Sequence, residues 1–293
     1  MCFGVVSTAV TLDSITISMS EPITVFGGNG FVGRHVVRLL QGQGQAITVP
    51  ARGKELYQSH LGHAIYCIGL TADFRSRPFD TAEAHVCLLQ RLLTQCRYHS
   101  FTYLSSTRVY QGLSTTGTEG TSLRVCPEDP DHLYNLSKLM GESLVHAAAG
   151  RTHVVRLSNV YGADWSSSNF LTSVIRAAVC DAHVELRSPG NITRDFVAVD
   201  DVAKLVGAIA LTGQSASYNV ASGRSYRSDE VLAAVRAHTG CQVSCPVPDT
   251  DAGRFPQIDI SRIQQEFSFQ PRLLLDDLKD LIYTFRLHQT KKD

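Results

Sequence analysis

Val25-Phe26-Gly27-Gly28-Asn29-Gly30-Phe31-Val32-Gly33 is the stretch on which the fold turns. Ile23 to Phe26 form an apolar, strand-like run, and Val32, Val36, Val37 and Leu40 follow at helical spacing. Between the two patterns stand glycines 27, 30 and 33. In such a strand-turn-helix the first glycine permits a tight turn and the second lets backbone approach a pyrophosphate. The third lets helix and strand pack closely. Exposed N–H groups and the positive helix end can then hold phosphates. Any tight turn can show such glycines; the flanking elements point to a phosphate cradle. Its candidate residues are Gly27, Asn29, Gly30, Phe31, Val32 and Gly33.

Working outward, strand-like and helical patterns alternate. Ala46 to Val49, Ala64 to Ile68, Phe101 to Leu104 and His153 to Leu157 read as strands. Helices are expected around Ala82 to Leu93 and over Tyr134 to Ala149, the latter with Leu136, Met140 and Leu144 on one side. This order predicts an α/β fold: a doubly wound parallel sheet covered on both faces, over residues 19–165. The remainder, 166–293, reads mainly as a smaller C-terminal lobe for substrate, with 195–212 returning to the first domain. Three helices are expected there: Asp200 to Leu211, Asp229 to His238 and Leu274 to Phe285. Ser228 is placed to cap the second and Gly240 to end it.

Composition narrows the function classes. Lys plus Arg equals Asp plus Glu at 27 each, so no net field gathers nucleic acid or an anionic membrane surface. An anionic ligand must therefore be held by local donors. The eight cysteines are scattered, with no metal-like spacing, which predicts reduced, buried thiols, no metal site and a cytoplasmic chain. Residues 1–18 lack the basic start of a signal peptide, and no apolar run reaches the ~20 residues of a membrane span. Met19 directly precedes the first strand, so 1–18 are expected to be a disordered extension.

Two further stretches carry chemistry. Tyr134-Asn135-Leu136-Ser137-Lys138 places a phenol and an ammonium one helical turn apart on one face. A free tyrosine titrates near ~10, and a neighbouring cation favours its phenolate, so the pair can exchange protons with a hydroxyl. Tyr103-Leu104-Ser105-Ser106-Thr107-Arg108-Val109-Tyr110 ends a strand in hydroxyl residues, at the sheet edge where a reacting oxygen would lie. Such hydroxyls can also simply satisfy backbone groups. After the second strand, Pro50-Ala51-Arg52-Gly53-Lys54 contains no carboxylate to accept ribose hydroxyls. Arg52 can pair with a 2′-phosphate through its planar fork, which favours NADP over NAD, or remain a solvated loop arginine.

Together these stretches resemble the extended short-chain dehydrogenase/reductase family, the NAD-dependent epimerases and dehydratases of nucleotide-sugars. The likeness continues through Arg156-Leu157-Ser158-Asn159-Val160-Tyr161-Gly162, Arg194-Asp195-Phe196-Val197-Ala198-Val199-Asp200-Asp201, Tyr218-Asn219-Val220-Ala221-Ser222-Gly223 and Asp259-Ile260-Ser261-Arg262. It implies a Rossmann-type domain binding NAD(P), a homodimer, and a catalytic set of Ser106, Tyr134 and Lys138. Lys138 also contacts the cofactor ribose, while Asn159 and Arg194 touch the substrate diphosphate. For Arg194 the competing expectation is a salt bridge to Asp195 or Asp200.

The departures are local. Too little chain separates Arg52 from Ala64 for the helix, strand and Asp that usually help to hold adenine. His85-Val86 replaces the usual Asn-Val, and no Arg-x-Gly-Asp stretch stands near Arg254. Thr107-Arg108 follows Ser106 where sugar 4,6-dehydratases carry Asp-Glu, which argues against dehydration. The expected function is a nucleotide-sugar epimerase or 4-ketosugar reductase. The alternative is a non-catalytic dinucleotide-sensing or assembly protein on the same fold.

Overall fold

The structure is a computed structural model that describes residues 21–53, 58–71, 73–249 and 255–290. The expectations for 1–18, Met19, Lys54 and the surroundings of Arg254 lie outside these residues. In chain order the first half contains β1 (Ile23–Phe26), α1 (Phe31–Gly42), β2 (Ile47–Thr48), β3 (His63–Tyr66), α2 (Pro78–Ala82), α3 (Leu88–Gln95), β4 (Ser100–Ser106), α4 (His132–Ala147) and β5 (Arg151–Leu157). A π-helical segment, Glu83–Cys87, joins α2 to α3. The second half contains β6 (Asn159–Tyr161), α5 (Phe170–Arg176), β7 (His183–Glu185), β8 (Thr193–Ala198), α6 (Val199–Thr212), β9 (Ser217–Val220), β10 (Ser225–Arg227), α7 (Ser228–Thr239), β11 (Gln242–Ser244), α8 (Ser261–Phe267) and α9 (Leu274–Gln289).

The main sheet has the order β2-β1-β3-β4-β5-β9, and every neighbouring pair is parallel. The order reverses between β1 and β3, the kind of switch point at which doubly wound sheets bind ligands. Strand alternation explains the two covered faces. Ile23, Val25 and Ile65 enter a cluster with Val36 and Leu40 of α1 and Val202, Val206 and Ile209 of α6. Phe26, Ala64 and Tyr66 enter another with Leu89 and Leu92 of α3 and Val145 of α4. The expected Ala46 to Val49 strand shrinks to two residues at the sheet edge, with no described strand beyond it.

The later residues build a three-stranded sheet, β10-β8-β6, and the parallel pair β11-β7. A separate core joins α5, α7 and α9 through Ile175, Leu232, Leu278 and Phe285. On α9 the buried stripe is Leu274, Leu278, Ile282 and Phe285, with Ile282 rather than Leu281 at the centre. Gly240 ends α7 in the left-handed region as expected. Ser228 does not cap it: the cap is Arg227, while Ser228 Oγ donates to the Ile192 carbonyl. A lateral anchor is thus made where a cap was expected. No disulfide joins the described cysteines, and Cys87, Cys126, Cys180 and Cys245 are exposed rather than buried, since they fall on outward faces and turns. No helix among the described residues is long and apolar enough to cross a membrane.

Candidate active site

The glycine turn has the geometry that its spacing predicts. Gly27 adopts φ +71°, and a Cβ there would approach Cys67 and Ile68 to 3.1 Å. The Gly30 N–H closes the turn on the Gly27 carbonyl at 2.9 Å, and Gly30 begins α1 with no side-chain cap. Gly33 is buried so closely under the turn that a Cβ would lie 2.2 Å from the Gly27 oxygen. Asn29 and Gly30 are exposed, while Phe31 and Val32 are half-buried in the first turn. Uncapped N–H groups at an open helix start, reached over a glycine, suit a dinucleotide phosphate.

The segment leaving β3 connects this turn to α4. Cys67 and Ile68 flank Gly27, and a Cβ on Gly69 would lie 3.3 Å from Lys138 Nζ. Lys138 is buried and donates to the Leu104 carbonyl at 2.8 Å. Burial pushes its ammonium down to about 7, against smaller upward pulls from Glu142 and Cys67. Its Nζ lies 6.0 Å from the Tyr134 ring centroid.

Tyr134 is buried, and the Ser106 hydroxyl at the end of β4 lies near enough to its phenol to stabilise a negative charge there. Burial pushes its hydroxyl up, while the nearby Ser106 hydroxyl and the charge of Arg108 pull it down. Ser106 Oγ accepts the Arg108 N–H at 3.1 Å. One lone pair is thereby occupied, and the Ser106 proton remains free to be donated to Tyr134 or to a substrate oxygen.

Beneath this trio lies His85, fully buried, its ring edge-on to Tyr134 at 5.4 Å between centroids. Its Nε2 accepts the Leu70 N–H at 3.1 Å, so Nδ1 carries the proton and donates to Ser137 Oγ at 2.8 Å. Ser137 in turn donates to the Tyr134 carbonyl at 2.9 Å. Burial, reinforced by the Lys138 charge, holds His85 well below the usual histidine range. Farther along α4, Glu142 receives Arg156 Nη2 at 2.7 Å and Ser105 Oγ at 2.5 Å, tying α4 to β5 and β4. The sequence flagged His85 and Arg108 only as departures and gave Glu142 no role. Its spacing four residues after Lys138 was the available signal.

Asn159 and Arg194 come together in the second sheet, where Asn159 pairs with Phe196, two residues along β8 from Arg194. Asn159 Nδ2 donates to the Asp195 carbonyl at 2.8 Å. Arg194 makes no salt bridge to Asp195 or Asp200, contrary to the competing expectation. Asp195 is taken up by Ser158 and Ser222, and Asp200 by His35 and Arg272. Instead Arg194 Nη1 donates to Ser228 Oγ at 2.6 Å and its guanidinium lies 4.4 Å from the Phe170 ring centroid. Arg52 stands apart, exposed past β2, three strands from β4.

Known proteins share this architecture. Residues 56–221, more than half of the chain, match the model of the NAD dependent epimerase/dehydratase family. Over 160 residues the chain is 29% identical to a dTDP-L-rhamnose 4-epimerase of Burkholderia thailandensis, covering 50% of this chain and 44% of that one. Over 197 residues it is 28% identical to a dTDP-4-dehydro-6-deoxy-D-allose reductase of a Streptomyces species, covering 64% and 60%. These alignments span less than two thirds of either relative. The solved structure of MoeE5 in complex with UDP-glucose and NAD superposes with a TM-score of 0.78 at 22% identity, over 92% of this chain and 99% of that one. The UDP-glucose 4-epimerase of Thermotoga maritima, with UDP-glucose, gives 0.75 at 19%, over 92% and 99%. On the family match, the chain belongs to the NAD dependent epimerase/dehydratase family.

Proposed function

We propose that this chain is an NAD(P)-dependent nucleotide-sugar epimerase or 4-ketosugar reductase acting at a sugar carbinol through Ser106, Tyr134 and Lys138. The observation that carries the reading is the meeting of Ser106, at the carboxyl end of β4, with Tyr134 and Lys138, both buried and one turn apart on α4. Bound NAD(P) supplies a hydride acceptor and donor. Gly27, Asn29, Gly30, Phe31, Val32 and Gly33 would hold its phosphates, and Lys138 would donate to its ribose. Arg52, the cation after β2, favours the 2′-phosphate of NADP. Tyr134 takes the substrate hydroxyl proton, Ser106 holds the same oxygen, and burial keeps water from the exchange.

Asn159 and Arg194 hold the substrate diphosphate. Arg194 supports that role because its cation, half-buried against Phe170 and bonded to Ser228, is paired with no carboxylate among the described residues. Residues 166–293 then form most of the substrate lobe. Of the reaction classes named for the relatives, epimerase, reductase and 4,6-dehydratase, the site suits the first two, since Thr107-Arg108 follows Ser106 where 4,6-dehydratases carry Asp-Glu. A homodimer follows from α4. Its chemical face, Tyr134, Ser137, Lys138 and Glu142, is buried, whereas Leu136 and Leu144 are only half-buried and Met140 is 53% exposed. This partly exposed apolar side of α4, and Phe79 (88% exposed) on α2, which packs on α4, suit a second copy.

The test is to release and identify the cofactor of the purified protein, then incubate it with UDP-, dTDP-, GDP- and CDP-sugars. Conversion of one of them, with inverted product stereochemistry or stoichiometric NADPH loss, is the expected result. A loaded protein that converts none would support the non-catalytic alternative.

A further inference from the structure

Two cations reach the ring of Tyr134, and they are not equivalent. Lys138 Nζ stands 6.0 Å from the centroid, is bonded to Leu104 and is held at about 7 by burial. Near neutral pH it therefore carries its charge only part of the time. Arg108 Cζ stands closer, 5.6 Å from the same centroid and 5.0 Å from that of Phe74. A guanidinium keeps its proton throughout the pH range in which proteins work.

The surroundings offset the Arg108 charge only in part: burial and Arg75 oppose it, while Asp131 and Asp129 favour it from nearby. Asp131 turns its carboxylate to Arg75 at 2.5 Å and offers Arg108 only its backbone carbonyl, at 3.4 Å. Asp129 accepts the Asp131 N–H at 2.8 Å and lies 3.9 Å from His132. Arg108 Nε is buried with no hydrogen-bond partner among the described residues. Of the other titratable groups beside Tyr134, burial holds His85 neutral and keeps the Tyr103 phenol protonated. Glu142, one turn past Lys138, is committed to Arg156 and Ser105.

We propose that Arg108 is a positioning residue for the acid/base step, acting through Tyr134 and Ser106. Its fixed charge over the Tyr134 ring favours the phenolate, and its backbone N–H orients the Ser106 hydroxyl as a donor to that phenolate. The proton moves from the substrate hydroxyl to Tyr134, and Arg108 itself neither gains nor loses one. The inference rests on the Ser106–Tyr134–Lys138 reading above and adds a permanent cation to it. A charge at this distance outside bulk water is worth on the order of one pH unit or more to a neighbouring acid.

The test is ultraviolet tyrosinate absorbance of the purified 293-residue chain, with Tyr134→Phe spectra subtracted to isolate Tyr134. It is read at one alkaline pH at which circular dichroism shows native structure. Arg108→Met keeps the stem against Phe74 and removes the charge; Arg108→Gln is a second neutral variant should the first not fold; Arg108→Lys keeps the charge. The ionised fraction of Tyr134 is expected to fall about tenfold in the neutral variants and to recover in Arg108→Lys. An unchanged fraction in a folded neutral variant, or an equal loss in Arg108→Lys, overturns the proposal. No substrate is needed, so failure here is distinct from failure to convert any nucleotide-sugar.

Discussion

Gly33 shows how much one residue can decide. Its missing Cβ would meet the Gly27 oxygen at 2.2 Å and the Gly28 Cα at 2.8 Å, backbone atoms that cannot turn aside. Gly33→Ala is expected to destabilise the fold by about 1–3 kcal/mol and to abolish NAD(P) retention, measured by urea unfolding and by cofactor carried through gel filtration. Retention at the wild-type level would contradict the cradle assigned here. This position was legible in the sequence because its role depends on spacing within one strand-turn-helix. Tyr134 and Lys138 were legible for the same reason, one helical turn apart. The approach of Arg108 to Tyr134 and of Leu70 to His85 was not. Those contacts join separate elements, and no periodicity records which loop lands beside which helix.

Among the elements, α4 is the one on which the site depends. Its buried face is mostly polar, while Leu136 and Leu144 are half-buried and Met140 is exposed. Burying Lys138 and Glu142 is tolerable because Leu104, Arg156 and Ser105 satisfy them. Removing one partner of a buried ion pair leaves the other stranded. Glu142→Ala is therefore expected to cost about 3–5 kcal/mol in chemical denaturation, by leaving Arg156 unpaired. A loss below about 1 kcal/mol would show that water reaches this pair. The long early strands and helices were readable from apolar period. The three-residue strands β6 and β10 were not, since so short a run holds too little pattern to separate from a loop.

At the scale of the whole molecule, parallel pairing from β2 to β9 brings the glycine turn, Ser106 and α4 to one sheet edge. The same burial stores a pH dependence. His63, His85 and His153 are all buried and all held below the ordinary histidine value of 6.5, chiefly by desolvation. Each binds fewer protons folded than unfolded, so its stability is present above 6.5 and is lost as pH falls through the folded value, about 4 for His63. His63 alone is expected to contribute roughly 3 kcal/mol to that loss. Thermal melts from about pH 7.5 down to about pH 4 should show Tm falling, and falling less in His63→Gln. A Tm independent of pH would contradict neutral buried histidines.

The central claim is that Tyr134 exchanges the proton of a nucleotide-sugar hydroxyl. It is tested most directly by comparing wild-type and Tyr134→Phe turnover of the sugar that the wild-type protein converts, each loaded with NAD(P). The account predicts a kcat lower by about 100- to 10,000-fold in Tyr134→Phe, with cofactor retention unchanged. Turnover by Tyr134→Phe at the wild-type rate would contradict it.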